Sequence, residues 1–144
     1  MFVRRFALLA ATLMPALLCC SCGKRETRQP VFPVQGKVLF EGRPLAHAFL
    51  VFHPVNSSGG DARRPVANAE EDGSFAPSTY DAGDGAPAGE YAVTVEWYQP
   101  PTNDQVTPSA NLLPPRYSQP SSTPFKVHIA AGENNLEPFQ IQRQ

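Results

Sequence analysis

The chain has 144 residues, a formal net charge of −1, and 16 prolines with 10 glycines. That length suits one domain. From residue 33 onward seven Lys/Arg stand against twelve Asp/Glu, so the body lacks the basic stripe that a nucleic-acid binder uses to displace counterions, and no nucleic-acid partner is expected.

The first element is a targeting segment. Arg4 and Arg5 precede an apolar run from Phe6 to Leu18, broken only by Thr12 and Pro15. The run is too short to span a bilayer and has the length of a signal-peptide core. A buried amphipathic helix would need a polar side that this run lacks. A signal-peptide helix is therefore expected over residues 1–21. All three cysteines follow at once in "LLCCSCGKRE", and residues 23–144 contain none. No disulfide can form within the body.

This cluster resembles the lipobox of bacterial lipoproteins. In that family the leader is cut before a cysteine whose sulfur takes a diacylglycerol, and palmitate-type acyl chains are implied. Cys22 fits best, with Ser21 before it and Gly23 after it. Cys19 stands where the family usually has leucine. Cleavage before Cys20 would put Leu17 at that place, so Cys20 is the alternative. A zinc site would need a second, distant pair of ligands. Two or more acyl chains hold a protein durably, at about 0.8 kcal/mol per buried methylene. The resemblance implies an exported protein on the cell membrane or outer membrane. Gly23 is no retention signal, which points to the outer one. Residues 22–33 then form a lipidated, flexible tether whose Lys24, Arg25 and Arg28 suit anionic head groups.

The body over 34–144 is read as strands. Proline and glycine recur too often for helices of ordinary length, and apolar residues alternate. Strands are expected at Val34–Phe40, Ala46–His53, Pro65–Glu70, Ser74–Thr79, Glu90–Tyr98, Pro124–Ala130 and Asn135–Gln142. Ala46, Ala48, Leu50 and Phe52 form the core face of the second. Tyr91, Val93, Val95 and Trp97 share one face of the fifth, and Phe125, Val127 and Ile129 point inward in the sixth. Asp72-Gly73 signals a type I′ hairpin. The tract 99–124 has no periodicity, and "LLPPRY" supplies apolar bulk to pin part of it. The expected fold is all-β, a seven-stranded antiparallel β-sandwich.

Three groups of residues carry chemical possibilities. The loop "YDAGDGAPAGEY" offers Asp81, Asp84 and Glu90 as a partial oxygen shell for a cation. The EF-hand template fails there, because positions three and five from Asp81 are Gly83 and Gly85. The same glycines, and aspartates that bond their own backbone, also make an ordinary turn. Trp97 and Tyr98, at the end of a strong strand, with Tyr117, offer a stacking surface for a small ligand or glycan. His47 and His53 are six residues apart, about 20 Å along a strand, too far to share a metal. No G-x-S-x-G elbow appears. No catalysis and no cofactor are expected.

The stretches "VQGKVLFEGRPLAHAFLVFHP", "NAEEDGSF" and "GEYAVTVEW" together resemble the carboxypeptidase regulatory-like, transthyretin-like β-sandwich. The matching residues are Gly42, Pro44, Leu45 and Ala48, then Asp72, Gly73 and Phe75, then Gly89, Tyr91, Val93 and Val95. The chain looks most like the short lipoproteins of this class from planctomycete-type bacteria. The resemblance covers residues 34–98 well and 124–142 loosely. The enzyme branch of the transthyretin-like fold ends in a tyrosine-arginine-glycine-serine motif, whereas this chain ends in "FQIQRQ". The resemblance implies a lipid-anchored envelope module that binds or scaffolds, with an envelope protein or glycan as partner.

Overall fold

The computed structural model describes residues 28–56, 63–98 and 110–143. The expected signal helix, Cys20, Cys22 and the first part of the tether lie outside the described residues. No helix among the described residues is long and apolar enough to cross a membrane.

The described chain is all-β. Its strands are β1 (Val31–Phe32), β2 (Val34–Phe40), β3 (Arg43–Pro44), β4 (Phe49–Pro54), β5 (Val66–Asn68), β6 (Ser74–Phe75), β7 (Ala86–Pro87), β8 (Gly89–Glu96), β9 (Lys126–Ile129), β10 (Asn134–Asn135) and β11 (Phe139–Ile141). A 3₁₀ turn covers Pro115–Tyr117. One sheet runs β5-β4-β8-β9, antiparallel throughout. A second is built around β2, which pairs with β3 and β6 antiparallel and with β10 and β11 parallel, and β1 with β7 forms a separate two-stranded sheet. This arrangement is consistent with a β-sandwich.

Alternation explains the core. Val34 and Val38 of β2, Leu50 and Phe52 of β4, and Tyr91, Val93 and Val95 of β8 are buried together with Ile129 and Ile141. Gly36 belongs to the same face of β2, and its missing side chain leaves room for the Phe75 ring. A Cβ there would meet Phe75 Cζ at 2.4 Å. A chain of rings then ties the layers together. Tyr91 meets Phe52, Phe52 meets Phe75, and Phe75 meets Phe139 with centroids 6.1, 6.3 and 5.5 Å apart. Phe139 stacks on Phe125 at 4.6 Å, and Phe125 on Tyr117 at 5.6 Å. Offset and tilted pairs at such distances contribute beyond their buried area.

The expected fourth strand, Ser74–Thr79, shrinks to β6 at Ser74–Phe75, because Pro77 interrupts it. The structure differs from the seven-stranded antiparallel expectation in four further places. The last segment breaks into β10 and β11, both parallel to β2. Alternation along a strand reports its faces and carries no information about its partner's direction. The second strand begins at Phe49 rather than Ala46, because His47 has φ 60° and takes the chain through a turn. His47 therefore does not share a strand face with His53. The Asp72-Gly73 turn is not type I′, which needs positive φ at both central residues. Only Gly73 has it, at 79°. The turn carries the chain from β5 in one sheet to β6 in the other, with Asp72 Oδ1 accepting from the Ser74 N–H.

The last difference concerns the tether. Its residues 28–33 are described and already engage the body. Val31 and Phe32 pair with Pro87 and Ala86, and the Asn134 N–H donates to the Pro33 carbonyl.

Candidate functional site

The acidic loop of residues 78–88 is built around one carboxylate. Asp84 accepts from the backbone N–H groups of Thr79, Tyr80 and Asp81 at 2.7–3.0 Å. Partial burial raises its pKa. The three N–H donors outweigh that and hold the carboxyl below its ordinary value. The Thr79 hydroxyl donates to the Gly85 carbonyl, and the Gly83 N–H to Ser78 Oγ. The loop is thus closed by its own side chains.

That closure shapes a seat for the N-terminal arm. The Phe32 carbonyl lies where a Gly85 side chain would be, 1.8 Å from a notional Cβ, and Gly85 has φ 96°. Only glycine fits both conditions. Beside it, the Arg28 guanidinium lies over the Tyr80 ring at 5.1 Å, with Arg63 at 5.4 Å. The Gln29 N–H donates to the Tyr80 hydroxyl at 2.9 Å, and Arg28 reaches Asp81 at 3.6 Å.

The three acids proposed for a cation are engaged separately. Asp84 is held by its own loop, Asp81 faces Arg28, and Glu90 Oε1 lies 4.0 Å from His128 Nδ1. Among the described residues no group of three His, Cys, Asp or Glu comes together in a way that would hold a metal ion.

A cleft opens at the other end of β2 and β8. It has a volume of about 640 Å³ and is lined by Phe40, Glu41, Arg43, Pro44, Leu45, Ala46, His47, Trp97 and Tyr98. Trp97 is half-buried and fixed. Its Nε1–H donates to the Ala46 carbonyl at 3.1 Å, and its ring meets Phe40 at 6.1 Å. Its backbone N–H donates to Asn111 Oδ1. Tyr98 is 43% exposed, and its hydroxyl donates to Glu96 Oε2 at 2.8 Å. That bond, with the charge on Glu96, raises the phenol pKa. Among the described residues, the non-glycine residues with positive φ are Glu41 at 50° and His47 at 60°. Both line this cleft. Strained backbone of this kind tends to gather where a protein binds or acts.

Of the three aromatics expected to stack on a ligand, the structure brings together Trp97 and Tyr98. Tyr117 is elsewhere, 3% exposed, its ring against Phe125. The Gln142 N–H donates to its hydroxyl at 3.0 Å, and Arg116 Nη2 donates to it at 2.9 Å. It closes the core. Glu41, Arg43 and His47 are the polar lining that sequence reasoning missed. The turn signal in "EGRPL" located the bend, and nothing in the sequence says that it faces Trp97. No protein-family model, curated protein or solved structure matches the chain.

Proposed function

We propose that this chain is an exported, lipid-anchored module of the bacterial cell envelope that binds or scaffolds rather than catalyses, on a transthyretin-like β-sandwich of the carboxypeptidase regulatory-like kind. The observation that carries the proposal is the seating of the arm. Six residues after Cys22, the chain is already clasped by Tyr80, Asp81 and β7. An anchor placed so close to a docked arm holds the body near the lipid.

The test is metabolic lipid labelling with fractionation of the full chain. Cys22→Ser should lose both the acyl label and the envelope fraction, while Cys20→Ser keeps both. The reverse pattern would move the anchor to Cys20. Retention of label by both single variants and by the double variant would end the proposal.

A second reading is favoured by the cleft. Its aromatic floor, with Glu41, Arg43 and His47 beside it, has the mixed lining of a small-ligand or glycan site. Trp97 is the chain's one tryptophan, so its emission reports occupancy directly. Emission unmoved by a panel of envelope oligosaccharides would remove this reading and leave the first intact.

A further inference from the structure

We propose that the end of the body formed by loop 77–88 and the corner at Pro54–Val55 faces the lipid head groups, so that the Trp97 cleft points away from the membrane. The inference rests on the lipid-anchor reading above.

β2 and β8 define the axis. The arm enters β2 at Val34, and loop 77–88 enters β8 at Gly89, at the same end, where Pro54 pairs with Tyr91. Both strands finish at the cleft, with Phe40 and Trp97 in its lining. At about 3.3 Å per residue, the eight residues of β8 separate the two ends by on the order of 25 Å.

The arm decides which end is held. From Cys22 to Arg28 the chain spans at most about 20 Å when fully extended. With the arm seated, the loop end lies within that reach of the bilayer, and the attachment point does not swivel. With the arm released, the leash would run from Cys22 to Val34 and reach about 40 Å. Either end of the body would then reach the lipid.

The loop end carries suitable surface. Val55 is 54% exposed, and its N–H donates to the Glu90 carbonyl, which fixes it at this corner. Tyr80 sits between Arg28 and Arg63, a ring with a polar tip flanked by cations, as suits the head-group level. Charges of both signs meet here, Arg28 and Arg63 around Tyr80 with Asp81 and Asp84 beside it. The contact is therefore with head groups in general and depends weakly on salt.

Site-specific fluorescence on the full lipidated chain tests this. Residues 23–144 contain no cysteine, so Val55→Cys and Leu112→Cys each add one thiol to the mature body. Leu112 is 48% exposed at the cleft end, where its N–H donates to the Trp97 carbonyl. Each variant is labelled with an environment-sensitive dye and reconstituted into vesicles of phosphatidylcholine and phosphatidylglycerol carrying a head-group quencher. The dye at position 55 should be quenched several-fold more than the dye at 112. Adding Gly85→Ala, which unseats the arm, should shrink that difference. Equal quenching, or stronger quenching at 112, on protein shown by mass spectrometry to be acylated would overturn the orientation alone. An unmodified Cys22 and Cys20 in the same spectrum would overturn the anchor and the orientation together.

Discussion

His53 shows how a single ring links the sequence to stability. Its Nε2 shares a 2.9 Å hydrogen bond with Thr94 Oγ1 across β4 and β8. Burial, and then the nearby Arg64 charge, lower its pKa below the ordinary imidazole value of about 6.5. The unfolded chain therefore takes up a proton at a higher pH than the folded chain does. Stability is independent of this group well above pH 6.5 and falls as pH drops through that value towards the folded pKa. Urea midpoints should decline from pH 7.5 to pH 5.5, and His53→Gln should flatten the decline. Asp84 acts in a separate, more acidic window. Its folded pKa is lowered from 3.8, so its contribution is present above about pH 4 and is lost as pH falls through the folded value. Tyr117 gives a third residue-scale prediction. Tyr117→Phe removes a buried hydroxyl that accepts from Gln142 and Arg116, so it should cost about 1–2 kcal/mol in denaturant unfolding. Tyr117 is not among the residues that line the cleft, so Trp97 emission from the folded chain should change little.

At the scale of elements, the long strands were readable and the short ones were not. β2 matches the expected Val34–Phe40, since its alternation and flanking turn signals are local. β8 lies within the expected span except for Gly89, which pairs with Ile129. β1 and β7 are two residues each and exist only because they meet one another. Neither has enough residues to show a period. Gly85→Ala tests that pairing. The added Cβ overlaps the Phe32 carbonyl and suffers strain at φ 96°. Amide exchange at Phe32 should quicken while the amides of β8 keep their protection. At the opposite edge, β11 carries Ile141 into the core beside β2. Ile141→Ala should cost about 2–5 kcal/mol by thermal or denaturant unfolding, as other buried large-to-alanine changes do. A cost near zero would show that β11 does not seal that edge.

The whole molecule is held by burial and ring packing, since no cysteine lies between residues 23 and 144. Its thermal midpoint should be the same with and without a strong reductant, read by circular dichroism. A shift of several degrees would point to a disulfide outside the body. The candidate cleft belongs to this scale too. Its lining comes from residues 40–47 and 97–98, which are more than 45 positions apart in sequence. They meet because β2 and β8 lie in different sheets and end on the same side. The acidic loop shows the same lesson from the other direction. Its composition left both a partial cation shell and an ordinary turn open, and its geometry is a closed turn that seats the arm, with Asp84 turned onto backbone N–H groups.

The amino-acid sequence alone determined the strand character of the body, the inward faces of its main strands and the absence of internal disulfides. Those properties depend on residue type and on spacing along one segment. Only the tertiary structure decided the parallel pairing of the last segment, the burial of Tyr117, the company of Trp97 and the docking of residues 28–33. Each of these depends on which distant segments approach, and approach is governed by the packing of the whole core rather than by any local pattern.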